Sequence, residues 1–161
     1  MRLRRKDLEI HDPEIIEQIL SEGVVCRLVM NDGEVPYLLP FNYGYKDHCI
    51  YIHSAPEGKK IDLLKMDNKV RFEITSIAEL ITGEAACDWA MKYRSVIGIG
   101  EVEILTDSKD KIDGLNVLMK HNGFTGDFEY HEKHLANVVI LKLMIQEMTA
   151  KQSSDWMSDK G

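Results

Sequence analysis

The sequence predicts a mainly β protein with a few helices, built as a small closed barrel of antiparallel strands. Apolar, strand-like segments follow one another at short spacing and are joined by turn signals such as residues 31–34. Pro36 and Pro40 interrupt one strand, and Gly98 and Gly100 interrupt another, which is typical of edge strands and of bends in barrels. The regular strand–helix alternation that builds a layered parallel sheet is absent. About six strands and three helices are expected.

The first half of the chain begins with a well-marked helix. Asp12 caps it, Pro13 occupies the first turn, isoleucines form one face and Gly23 ends it. The elements predicted next are a strand at residues 24–30, a hairpin turn at 31–34, its partner strand at 35–45, a turn at 46–48 and a strand at 49–53.

The second half alternates long strands with two helices. The predicted elements are a helix at 58–66, a strand at 69–77, an irregular segment at 78–89, a strand at 93–105, a helix at 108–121, a polar connection at 122–134 and a last strand at 137–148. We expect one domain over residues 1–151, followed by a C-terminal tail at 152–161 that is polar except for Trp156 and Met157.

Composition excludes several classes of function. Hydrophobic residues make up 44% of the 161, and 27 acidic residues against 20 basic ones give a formal charge of −7. This balance argues against a broad nucleic-acid or anionic-membrane surface. No segment reaches the ~20 apolar residues of a membrane span. Three scattered cysteines without a Cys-x-x-Cys pair, and a charged N-terminus without an apolar run, predict a cytoplasmic protein with reduced thiols.

The segment at residues 51–64 predicts a phosphate site. A strand leads through a loop of small residues into an amphipathic helix that begins with Gly58, Lys59 and Lys60. Unpaired N–H groups and the positive dipole end of a helix favour phosphate, glycine permits close approach and lysine adds charge. It is not a nucleoside-triphosphate loop, because His53 holds the first glycine position of that motif. An ordinary helix start with two solvated lysines is the alternative.

The strand interrupted by prolines predicts a surface for a flat ligand. Proline removes N–H donors, so nearby backbone groups lack strand partners and can bond a ligand. The side chains expected there are the apolar Leu38, Leu39 and Phe41 as walls and Asn42 as donor and acceptor. An edge strand protected against aggregation is the alternative.

These two segments, followed by the Lys92-Tyr-Arg-Ser-Val-Ile-Gly-Ile-Gly100 strand, resemble in order and spacing the FMN-binding split-barrel family. The resemblance is closest to the pyridoxamine 5′-phosphate oxidase-related proteins of the nitroimidazole-resistance (Nim) type. The N-terminal residues 1–10 and the stretch at 141–149 also match that subfamily, so the resemblance covers residues 1 to about 151.

The resemblance implies an FMN-binding split β-barrel. It implies a homodimer with a flavin at each end of the interface, for which residues 96–99 and 89–91 are candidate contacts. The implied activity is flavin-dependent reduction of small electron-poor molecules, with NAD(P)H as candidate electron donor. The implied cofactor contacts are Leu38, Leu39, Pro40, Phe41, Asn42, His53, Ser54, Ala55, Gly58, Lys59, Lys60, Arg94 and Ser95.

Several points stay open at the level of sequence. His53 is a candidate proton donor, with a purely structural role as the alternative. True pyridoxamine-phosphate oxidases carry C-terminal arginines, whereas this chain has none after Arg94, so that activity is not expected. A flavin- or haem-binding sensor without turnover, and a structural domain without a cofactor, are the competing functions. No metal site is expected, because Asp127, Glu129, His131 and His134 fit no common zinc spacing. Arg94 and Ser95 could alternatively be an ordinary pair on the barrel surface.

Overall fold

The computed structural model describes residues 5–126 and 128–157, without the side chains of Asp155 and Met157. The strands are β1 (Glu9–Ile10), β2 (Val25–Met30), β3 (Tyr37–Asn42), β4 (Gly44–Lys46), β5 (Cys49–Ser54), β6 (Lys69–Ile81), β7 (Ala90–Leu105) and β8 (Val139–Gln152). The α-helices are α1 (Pro13–Glu22), α2 (Lys59–Met66), α3 (Ser108–His121) and the short α4 (Glu132–Leu135). Short 3-10 turns lie at Lys6–Leu8, Ala86–Asp88 and Ser154–Met157.

The described strands form one antiparallel sheet around a single core. Its order is β3-β2-β6-β7-β8-β5-β4, and β1 adds to β8. The long strands are irregular near Thr75 and near Gly100, where the pairing register shifts. The inward side chains of nearly every strand meet in one apolar cluster that includes Leu28, Phe72 and Leu143. The predicted class is confirmed, although the sheet has eight strands and not about six.

The predicted bounds of some strands were wrong. The single strand at 35–45 is two strands, because the buried Tyr43 lies between β3 and β4 and donates a hydrogen bond of 2.6 Å to the Leu20 carbonyl. β4 then pairs with β5 and not with β2. Residues 78–89 were expected to be mostly irregular, and residues 82–89 indeed lie outside the strands. However, β6 continues to Ile81 and β7 begins at Ala90 and not at Tyr93, so Leu80 pairs with Met91. Both of these side chains are exposed, so the one-sided burial that marks a strand in sequence is absent.

The helix signals were read correctly. The Asp12 carboxylate accepts a 2.9 Å hydrogen bond from the Glu14 N–H, and α1 ends at Gly23. The helix predicted at 108–121 is α3 with those same bounds. The last strand continues to Gln152 and does not end at Met148.

Gly44 determines how closely α3 packs on β4. A Cβ atom there would lie 2.5 Å from the Leu118 Cα, so a larger residue would force the helix away. This close packing brings the C-terminal end of α3 against the junction between β3 and β4.

Candidate functional site

β3 is an edge strand of the sheet. In the described part of the chain it pairs with β2 on one side alone, so its other backbone edge has no strand partner. This is the position that proline tolerates, and Pro40 lies within it. Leu38 faces outward, with 53% of its surface exposed. Pro40 and Asn42 face the same side, whereas Leu39 and Phe41 pack against the core. A ligand on the outward face would therefore meet the Leu38 side chain, but Leu39 and Phe41 mainly through their backbone.

A cavity of about 360 Å³ opens next to Leu38 on the same face of the sheet. Val29, the cross-strand partner of Leu38, belongs to its wall. The lining combines apolar and cationic side chains: Val29, Met30, Asn31, Pro36, Lys69, Val70, Arg71, Ile99, Gly100 and Gln146. None of the cofactor contacts implied by the sequence is in this lining, although Leu38 adjoins it.

The start of α2 lies beside the start of β3. Gly58 adopts a φ of +106°, which favours glycine, and its carbonyl accepts the first hydrogen bonds of the helix. The Lys59 ammonium lies 2.5 Å from the Asp32 carboxylate and 4.9 Å from the ring centroid of Tyr37, the first residue of β3. The hydrogen bond to Asp32 raises the pKa of Lys59. The fold thus brings together the two segments that the sequence singled out separately.

The two lysines differ in their surroundings. Lys59 is committed to Asp32, whereas Lys60 follows it half-buried on the helix. Ser54 is buried, and its hydroxyl donates a 2.9 Å hydrogen bond to the Ala55 carbonyl, so it shapes the loop before Gly58.

His53 projects from a different face. Its neighbours Ile52 and Ser54 are buried, so the exposed His53 side chain lies on the opposite side of β5. Tyr51 shares this side, and α3 packs there, since a Cβ on Gly114 would approach the Tyr51 ring. β5 pairs with β4 and β8 and not with β3. The structure therefore does not bring His53 into one row with Leu38.

Arg94 and Ser95 form a second group at a distance from Leu38. Register places Leu38 level with Val29, Arg71 and Ile99 across the sheet. Arg94 lies five positions before Ile99 on β7, about 17 Å further along the strand at ~3.4 Å per residue.

The Arg94 guanidinium already makes contacts within the chain. It stacks on the Trp156 indole at 3.7 Å and donates a 3.2 Å hydrogen bond to the Gln152 side chain. Trp156 in turn donates to the Tyr93 carbonyl at 3.2 Å. This indole, one of the two apolar side chains of the predicted polar tail, therefore packs on β7.

Sequence reasoning missed the contact between α3 and the end of β3. The Asn122 side-chain oxygen accepts a 2.7 Å hydrogen bond from Asn42, and its amide donates to the Tyr43 carbonyl at 3.0 Å. His121 accepts from the Tyr45 N–H at 3.3 Å and lies 2.8 Å from the Gly23 carbonyl, an arrangement that fits the tautomer protonated at Nε2. These contacts join residues 76 to 98 positions apart, so no local sequence pattern predicts them.

The structure also locates the candidate dimer contacts and the residues considered as metal ligands. Val96, a candidate dimer contact, is fully buried in the core, whereas Ile97 (43% exposed), Trp89 and Met91 face outward. Asp127 lies outside the described residues, as do residues 1–4 and 158–161. Within the described ranges, no cluster of three or more His, Cys, Asp or Glu side chains is arranged to hold a metal ion. No helix described here has both the length and the apolar character needed to cross a membrane.

Comparison with known proteins identifies the family. The family model for pyridoxamine 5′-phosphate oxidase matches residues 12–152. A proposed 5-nitroimidazole antibiotic resistance protein from Bacteroides thetaiotaomicron is 31% identical, with a TM-score of 0.79 over 90% of this chain and 86% of that one. This chain therefore belongs to the pyridoxamine 5′-phosphate oxidase-like family of split barrels, as its motifs suggested.

Two more distant structures share the fold. The flavocytochrome Anf3 from Azotobacter vinelandii is 19% identical, with a TM-score of 0.79 over 94% of this chain and 72% of that chain. The FAD and haem binding protein from Mycobacterium smegmatis is 16% identical, with a TM-score of 0.77 over 95% of this chain and 80% of that chain. The search of curated proteins gave no match.

Proposed function

We propose that the chain binds FMN and is a flavin-dependent reductase of small electron-poor molecules. The observation that carries this is the start of α2, where Lys59 and Lys60 follow Gly58 and the Lys59 ammonium lies over the ring of Tyr37, the first residue of β3. FMN requires a flat apolar surface, hydrogen-bonding groups along one edge and a cationic end for its phosphate. Leu38, the backbone edge of β3 and the two lysines supply these in one region. The similarity to the Bacteroides resistance protein supports an electron-poor, nitroaromatic substrate.

Each residue of this region has a distinct proposed role in FMN binding. Lys60 is the main phosphate contact, because the charge of Lys59 is already balanced by Asp32. The loop at Ser54 and Ala55 precedes the helix start and borders the phosphate. Asn42 donates its amide to Asn122, which leaves its side-chain oxygen free to accept from a ligand. Bound FMN would supply the electron-transfer chemistry, and the chain would position and shield it.

We propose a homodimer because the implied cofactor contacts fall into two separated groups. Arg94 and Ser95 lie about 17 Å along the sheet from the row of Leu38. One flavin touches both groups most simply if a second copy supplies one of them. The outward Ile97 and the exposed hairpin residues Trp89 and Met91 are the apolar surface available for such a contact.

The proposed function includes a substrate class, an electron donor and a cellular compartment. No arginine follows Arg94, so a neutral or weakly anionic substrate fits better than a phosphorylated one. NAD(P)H is the proposed electron donor, and the cytoplasm the proposed compartment. His53 is exposed and is the proposed proton donor.

A flavin- or haem-binding protein without turnover is the second candidate. The observation in its favour is that two proteins of the same fold are a flavocytochrome and an FAD and haem binding protein. An exposed histidine such as His53 is the kind of side chain that ligates haem iron.

Absorption spectroscopy separates these functions. The purified chain, reconstituted with FMN and passed through a desalting column, should retain a band near ~450 nm from oxidised flavin. Bleaching of this band by NADH or NADPH, and its return on adding a nitroaromatic acceptor, would support the reductase. A retained band that no donor bleaches would favour the binding protein, and a colourless protein would refute both flavin proposals.

A further inference from the structure

The loop that follows α3 presents a stack of three aromatic rings. The Phe124 and Phe128 rings lie 4.2 Å apart between centroids, and Phe128 and Tyr130 lie 5.8 Å apart. The Tyr130 hydroxyl donates a 3.0 Å hydrogen bond to Asn116 on α3, which fastens one end of the stack. The other end is open, since Phe124 keeps 44% of its surface exposed.

The backbone holds this stack in a defined place. Gly123 has a φ of +90° and closes α3 with two hydrogen bonds, from its own N–H to the Lys120 carbonyl and from the Phe124 N–H to the Met119 carbonyl. This is the Schellman arrangement of a helix end, which fixes the direction in which the chain leaves the helix. Gly126 then makes room for the Phe124 ring, because a Cβ there would lie 2.8 Å from it.

The base of the loop is attached to the proposed flavin strand. Asn122, two residues before Phe124, accepts the 2.7 Å hydrogen bond from Asn42 on the outward face of β3. The aromatic stack thus begins two residues after a direct contact with the end of the strand along which the flat ligand would lie. An exposed aromatic ring held in this position can stack on a flat aromatic ligand. Such ring pairs are more stable than the burial of their surface alone explains.

We propose that Phe124 is a specificity-determining residue that stacks against the ring of a flat, electron-poor aromatic substrate. This inference rests on the proposed function for the location of the reaction, but the stacking itself does not require turnover. Phe128 and Tyr130 act through Phe124 by holding its ring in place.

The test measures binding without an electron donor. Calorimetric titrations of 4-nitrobenzyl alcohol and of cyclohexylmethanol, a probe without a flat ring, are run on apo and FMN-loaded protein. Phe124→Ala should weaken binding of the nitroaromatic probe by about three- to tenfold, the size of one ring–ring contact, and change the aliphatic probe less than twofold. Gly126→Ala should cause a smaller loss of the same selectivity by displacing the ring. Met66→Ala, at the exposed C-terminal end of α2, is the control for loss of an exposed apolar side chain and should alter neither probe.

The outcomes separate the two ideas. Equal losses for the two probes, or none, in Phe124→Ala would overturn the role of Phe124 even if FMN binds normally. If FMN does not bind but the apo protein shows the selective loss, the aromatic site stands and the flavin proposal fails.

Discussion

The two lysines at the start of α2 should differ in how much each contributes to FMN affinity. Lys59 already forms an ion pair of 2.5 Å with Asp32, whereas Lys60 is the side chain left for a phosphate. A charge-assisted hydrogen bond contributes roughly 1.5–3 kcal/mol, or about ten- to hundredfold in affinity. We therefore expect Lys60→Ala to weaken FMN binding by that factor. Lys59→Ala should cost only a few-fold, because Lys59 is paired with Asp32 and makes no direct bond to the phosphate in this account; the remaining loss comes from the unpaired Asp32 carboxylate, which repels the phosphate.

The assay is a fluorescence titration of FMN and of riboflavin, which lacks the phosphate. Riboflavin affinity should change less than about twofold in either variant, since no charge-assisted bond to phosphate is lost. Asp32→Asn is the matched control for the ion pair. It removes the competing negative charge and should strengthen FMN binding, with an effect that shrinks at high salt. Equal losses for FMN and riboflavin in Lys60→Ala, or a larger loss in Lys59→Ala, would refute this account of the helix start.

Three further predictions follow from the fold and the proposed function. Gly44→Ala should lower the free energy of unfolding in urea by about 1–3 kcal/mol, because its Cβ would press on the Leu118 backbone; an unchanged midpoint would contradict the close packing of α3. In FMN-loaded protein, His53→Ala should lower kcat by about a hundredfold or more if it donates a proton, and unchanged turnover with retained flavin would leave it a structural role. Sedimentation equilibrium of the FMN-loaded protein at micromolar concentration should give the mass of two chains, and the mass of one chain with flavin still bound would exclude a shared site.

Local chemistry determined much of the fold directly from sequence. Asp12 with Pro13 and Gly23 defines α1, and residues 108–121 define α3, because caps and apolar periodicity act within a few residues of one another. The pairing of glycine with two lysines at the start of α2 was recognisable for the same reason. Turn and proline signals likewise established an antiparallel β protein.

Only the tertiary structure determines which of these elements and side chains contact one another. The division of residues 35–45 into β3 and β4 depends on the buried Tyr43, and the extension of the β6–β7 hairpin depends on pairing between exposed strands. The sequence treated Lys59 and Lys60 as equivalent, and only the fold brings Asp32 to one of them. The Asn42–Asn122 contact and the Trp156 cover over Arg94 join residues 80 and 62 positions apart. Such contacts arise when the core closes and sets the strand order, and a sequence read in local windows carries no signal of them.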